Sequence, residues 1–292
     1  MDMGVSSLWS LSPLSFPQLS PKFKSSRVCC ASPSFFPSPT TTHKTLTLIQ
    51  NSGVIACLRA NSAELAYEAA SAALRGGITV LEIVMSTPGV LQVLRQLVQD
   101  HPSLALGVGT VLNIGDAKNA INAGAKFLIS PASVKDIMDD IRDLEALYIP
   151  GVMTPTEILS AYAAGAKVVK TLHSLFTLTK VYPVSALGGI RYISALKKPF
   201  PHIPMVASQG ITVDSIGDYI SAGATSVVLS DAIFNKDAML GKKFTAIHNI
   251  AHLAALKGKE AVTLIFTYHW ESYGSSIEFE LLSCRDLSSE MY

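Results

Sequence analysis

Ala123-Gly124-Ala125-Lys126-Phe127-Leu128-Ile129-Ser130 closes a helical stretch and opens an apolar, strand-like run. Glycine at its turn suits the left-handed position that ends a helix. The same punctuation returns at Gly76-Gly77, Ala164-Gly165-Ala166 and Ala222-Gly223-Ala224. The strands so opened read ITVLEIV at 78–84, KFLIS at 126–130, KVVK at 167–170 and TSVVLS at 225–230. Four more lie between them: GVIACLR at 53–59, LALGVGT at 104–110, ALYIPGV at 146–152 and IPMVAS at 203–208. Amphipathic helical stretches at 61–75, 112–122, 156–164 and 213–222 separate them, the alternation of parallel βαβ units. Eight evenly spaced units predict an α/β fold, a closed (β/α)₈ TIM barrel in a single domain. An open doubly wound sheet is the alternative, and it does not readily use eight even units.

Working outward, residues 1–44 differ from the rest. They are rich in Ser, Pro and Thr, hold Asp2 as their one acid, and carry scattered bases (Lys22, Lys24, Arg27, Lys44). That acid-poor, Ser-rich composition is that of an organelle transit peptide, with Val28-Cys29-Cys30-Ala31 similar to a plastid processing site. A disordered tail without a targeting role is the plainer reading. The expected location is the plastid stroma. The barrel is expected over 45–262, its final helix over 240–263, and 263–292 reads as an irregular C-terminal tail.

Composition narrows the function. The chain is 49% apolar and 15% charged, with a net charge of +1 and no basic stripe, so nothing suggests a nucleic-acid partner. No apolar run is long enough to predict a membrane span. Cys29, Cys30, Cys57 and Cys284 show no metal-ligand spacing, and two of them fall in the leader, so a reduced compartment is the easier reading.

Active sites in this fold form at the C-terminal ends of the strands. The polar residues there are Arg59, Glu82, Thr110, Ser130, Thr154 with Glu157, Lys170 or Lys180, Ser208 with Gln209, and Ser230 with Asp231. Glu82 lies inside Val80-Leu81-Glu82-Ile83-Val84, where a carboxylate is expensive to bury unless it is paired or used. A lysine closing the run Val168-Val169-Lys170 is a candidate nucleophile for carbonyl substrates, because desolvation favours the neutral amine. A buried Lys–Glu ion pair, or a lysine snorkelling to the surface, is the bland alternative.

Five elements together carry a resemblance: Leu81-Glu82-Ile83, Gly107-Val108-Gly109-Thr110-Val111-Leu112, Ile129-Ser130-Pro131, the run from Ile149 to Glu157, and Lys-Val-Tyr-Pro at 180–183. In order and in register with the strands, they resemble the 2-keto-3-deoxy-6-phosphogluconate (KDPG) aldolases, a class I family that includes the 4-hydroxy-2-oxoglutarate (KHG) aldolases. The likeness runs from about Gly53 to about Phe234. It implies a homotrimeric barrel that cleaves a 2-keto-3-deoxy sugar acid to pyruvate and an aldehyde without metal or cofactor. The lysine of the Lys-x-x-Pro element would form the Schiff base, and Glu82 would shuttle protons. Thr110 would help hold the pyruvate-derived carboxylate, Tyr182 would pack beside the imine, and Thr154 would line the rim.

Three departures accompany the resemblance. Ser86 stands where the family commonly has an arginine gripping the carboxylate, which leaves Thr110, Ser86 and Arg59 to bind it. At the phosphate end the family's Gly-Gly reads Gln209-Gly210, and its Gly-Gly-Ser reads Leu229-Ser230-Asp231, leaving the Gly189 and Gly210 amides and Ser230 as anion donors. Finally, the glycine intervals are uneven, and the excess falls on a block at 171–180 inserted between Lys170 and Val181, or on one from Thr171 or Leu172 through Thr179 with Lys180 kept. Its Leu/Phe/Ser/Thr-rich composition suits translated intron sequence taken in by an alternative splice acceptor. Lys170 keeps the strand context and is the first choice for the Schiff-base lysine. Lys180 keeps the Tyr182-Pro183 context and is the second. A catalytically impaired isoform serving only as an oligomer partner, or a phosphate-sugar isomerase or epimerase on the same barrel, are the competing functions.

Overall fold

A computed structural model describes residues 40–140, 146–166 and 178–272. Nine parallel strands form one sheet: β1 (Val54–Leu58), β2 (Val80–Val84), β3 (Ala105–Gly109), β4 (Phe127–Ile129), β5 (Leu147–Ile149), β6 (Gly151–Val152), β7 (Thr179–Val181), β8 (Met205–Ser208) and β9 (Ser226–Leu229). Their order is β5-β4-β3-β2-β1-β9-β8-β7-β6. The two ends of that order, β5 and β6, are halves of one segment parted at Pro150, so the sheet closes on itself and the nine strands make eight barrel positions. Proline has no N–H to give the ladder, yet its carbonyl still accepts from Lys180 N–H at 2.9 Å. At this seam the backbones nearly touch: a Cβ on Gly151 would lie 2.2 Å from the Pro131 carbonyl.

Alternation sorts each strand's side chains to two sides. Ile55, Val80, Ala105, Phe127, Ile129, Leu147, Ile149, Leu178, Val206 and Val228 form the interior cluster together with Leu46 and Ile49. Those last two belong to α1 (Thr41–Ser52), whose N-cap Thr40 side chain accepts from His43 N–H. The folded unit thus begins inside the stretch assigned to the leader, because α1 supplies apolar side chains that fill the barrel. A second, larger cluster joins the outer strand faces to α2 (Ala63–Arg75), α3 (Val90–Asp100) and the later helices.

The sequence placed the sixth strand at 167–170. In the structure the position between β6 and β8 is taken by Thr179–Val181, with Lys180 paired to Gly151 on one side and Val206 on the other. Leu178, Thr179 and Lys180 are therefore barrel residues rather than the end of an insertion; Lys170 and 171–177 lie outside the described residues. Gly165 is not a cap either, since α6 (Pro155–Ala166) continues through it. The C-terminal boundary also moves: α10 (Phe244–Ser272) runs well past the residue where an irregular tail was expected. The rest of that tail, like residues 1–39, lies outside the described residues. Among the described residues no helix is long and apolar enough to cross a membrane.

Candidate active site

Glu82 occupies the middle of β2 with its side chain 1% exposed, and its Oε2 has no hydrogen-bond partner among the described residues. Room for it comes from β3, where Gly107 and Gly109 present no side chains. A Cβ on Gly109 would fall 1.6 Å from Glu82 Oε1. Lys180 is 7% exposed in β7, and its Nζ lies over the Tyr182 ring at 5.1 Å from the centroid. Among the described residues Glu82 and Lys180 are not joined in an ion pair. The bland reading of the two as a structural salt bridge therefore falls, and an amine and a carboxylate are left in one barrel.

A third group was missed in the sequence. Cys57 stands opposite Glu82 in the β1–β2 ladder and packs against the interior cluster. Burial pushes its thiol well above the ordinary cysteine range, and the Glu82 carboxylate adds to this, while Lys180 and Arg59 pull the other way. The sequence signal for it is the alternation of Ile55, Cys57 and Arg59, which sets Cys57 on the same face of β1 as the interior Ile55.

The rim residues divide. Arg59 and Ser86 are exposed after β1 and β2, and Thr110 is partly buried after β3 with φ +59°. Thr154 serves its own helix, because its Oγ accepts from Glu157 N–H at 3.3 Å while the Glu157 carboxylate accepts from the Met153 and Thr154 amides. Ser130 is likewise spent internally, donating to Val111 O and accepting from Tyr148 Oη at 2.9 Å. The Gly189 amide expected for an anion donates to Val184 O at 2.9 Å, since Gly189 ends one turn and caps α7 (Ile190–Lys197). Gly210 keeps a left-handed backbone with φ +73°, and its predecessor Gln209 takes φ +83° without being glycine. Ser230 is partly buried, its carbonyl accepting from the Ile233 and Phe234 amides, and Asp231 beside it is exposed.

Residues 46–250 match the aldolase family described as KDPG and KHG aldolase. The chain belongs to this family. It is 31% identical over 152 residues to the 2-dehydro-3-deoxy-phosphogluconate aldolase of Pseudomonas aeruginosa, covering 52% of this chain and 64% of that protein. The alignment thus spans slightly less than two thirds of that relative. The enzyme of the same name from Pseudoalteromonas atlantica is 30% identical over 170 residues, 56% of this chain and 74% of that one. Among solved structures, the KDPG aldolase of Legionella pneumophila, with pyruvate captured as a covalent carbinolamine, superposes with a TM-score of 0.64 at 25% identity, over 72% of this chain and 97% of that chain. The TIM barrel read from the glycine punctuation is therefore the aldolase family's barrel.

Proposed function

We propose that this chain is a class I aldolase that cleaves KDPG or 4-hydroxy-2-oxoglutarate to pyruvate and an aldehyde, with Lys180 as the Schiff-base lysine and Glu82 as the proton shuttle. The observation that carries the reading is that Lys180, buried in β7 beside the Tyr182 ring, shares the barrel with a buried carboxylate it does not neutralise. The neutral amine attacks the C2 carbonyl to give a carbinolamine, which loses water to become an iminium. The iminium draws in the C3–C4 bonding pair as the C4 hydroxyl gives up its proton, releasing the aldehyde and leaving an enamine. Protonation at C3 and hydrolysis then free pyruvate and regenerate the amine. Glu82 suits these transfers because a buried carboxylate can carry a proton in one step and return it in the next.

The two substrates differ beyond C4, where KDPG extends to a terminal phosphate and 4-hydroxy-2-oxoglutarate ends in a carboxylate. There the Gly189 amide is already used and Asp231 stands exposed, which weakens the case for a phosphate; Arg59, Thr110 and Ser86 remain to hold the C1 carboxylate. The silent-isoform alternative loses its main support, because residues 178–181 complete the sheet. An isomerase or epimerase would have no use for a Schiff-base lysine. Import into plastids rests on the leader's composition, and a homotrimer rests on the family resemblance; a plastid import assay and light scattering of the mature chain test them.

The deciding experiment is reduction with borohydride in the presence of pyruvate, followed by peptide mapping. The expected result is one pyruvate-derived adduct on Lys180, lost in Lys180→Met. An adduct on Lys170 would move the nucleophile, and no adduct would end the aldolase reading.

A further inference from the structure

We propose that Cys57 is a positioning residue for Glu82: its thiol is the side-chain partner that orients the buried carboxylate toward the Lys180 amine. The inference rests on the aldolase reading above and goes beyond it by adding a residue that reading does not use.

The argument is one of elimination around β2. A strand inside a barrel has two lateral neighbours, about 4.8 Å away on each side. On the β3 side, Glu82 is paired with Gly107 and overlies Gly109, and neither offers a side chain. On the β1 side it is paired with Cys57, which faces the same interior. Among the described residues, Cys57 is thus the one neighbour across the ladder that can hand Glu82 a proton donor. Glu82 Oε2 has no hydrogen-bond partner among the described residues, a costly state for a buried carboxylate oxygen, whereas a side-chain hydrogen bond between this carboxylate and Cys57 helps to raise the thiol.

A thiol is suited to this place in a way a stronger donor is not. It donates weakly, so it can steer the carboxylate without fixing it in the ionised form, which a proton shuttle must be able to leave. The charged groups that act on it are Glu82 from β2, Lys180 from β7 and Arg59 beyond the end of β1. The buried face of α1, made by Thr45, Leu46 and Ile49, and the strand β9 bring no titratable group. The thiol therefore stays protonated, and remains a donor, at neutral pH.

Cys57→Val and Cys57→Ser in the full chain test this. Valine fills the space without a donor, and kcat should drop about tenfold while KM stays within about twofold. Serine restores a donor and should recover kcat to within about threefold of the original. The infrared S–H stretching band that disappears in Cys57→Val belongs to Cys57, and it should shift in Glu82→Gln. Unchanged kcat in Cys57→Val, a Cys57→Ser enzyme as slow as the valine variant, or an S–H band indifferent to Glu82→Gln would each overturn the proposal. A chain that traps no pyruvate at all would instead overturn the aldolase reading, and the S–H band would still decide whether thiol and carboxylate meet.

Discussion

Glu82 lies across Gly109. Its carboxylate fills the volume that any side chain at position 109 would need, with Oε1 only 1.6 Å from where a Cβ would stand. Gly109→Ala should therefore leave the barrel folded, since a flexible side chain can turn aside, but it should move the carboxylate we propose as the proton shuttle. A displacement of about 1 Å at a reacting group costs about a hundredfold in rate. We expect that loss in kcat with an unchanged far-ultraviolet circular dichroism spectrum. Wild-type kcat in Gly109→Ala would remove Glu82 from the mechanism.

The start of α6 depends on a reciprocal cap. The amides of Met153 and then Thr154, donating to Glu157 at 2.7 and 2.8 Å, hold its carboxyl below the usual range. A folded-state pKa below the unfolded one contributes stability above the unfolded value, near pH 4.3. That contribution is lost as pH falls through the folded value. Glu157→Ala should cost about 1 kcal/mol at neutral pH. The difference from wild type should shrink as pH falls through that folded value. Thermal unfolding across pH measures both, and a gap that persists in acid would mean that the loss is not in the carboxylate.

Asp231 stands exposed just beyond β9, where the family resemblance places the phosphate end. Its charge opposes a dianion but leaves a substrate without that group nearly untouched. Asp231→Ser should raise kcat/KM for KDPG by about three- to tenfold at low ionic strength, and less in high salt. Activity on 4-hydroxy-2-oxoglutarate should stay within about twofold. Equal responses of the two substrates would place the phosphate elsewhere.

Gln209 holds φ +83°, a left-handed backbone that favours glycine. Gln209→Gly should relieve that cost and stabilise the chain by about 1 kcal/mol, read as a rise in Tm. A lower Tm would show that the glutamine side chain contributes more than its backbone loses.

How much of this was legible in advance varies with the kind of information each residue carries. Glu82 could be picked out because a carboxylate within an unbroken apolar strand is a local contradiction, visible without neighbours. Gly77, Gly124 and Gly223, which all adopt φ near +100°, could be picked out because a helix that must turn into a strand needs that backbone. The irregular-looking residues after Thr263 could not be read as helix from their composition. Once α10 packs against α2 and α8 (Ile216–Ser221), each further residue adds a backbone hydrogen bond at small cost.

The eight-unit barrel, the catalytic rim and the aldolase resemblance were determined by the sequence itself, because hydrophobic alternation and turn chemistry act over a few residues. The tertiary structure decided the rest. Lys170 precedes the 171–180 block and Lys180 ends it, and each keeps half of the family's local context, so no local rule separates them. The ladder gives Lys180 a place in the barrel, with Gly151 on one side and Val206 on the other pairing with it, while Lys170 lies outside the described residues. Cys57 acquires a meaning in the same way, since only lateral pairing brings a thiol from β1 to a carboxylate on β2. A strand's place, and what its side chains face, are properties of its partners.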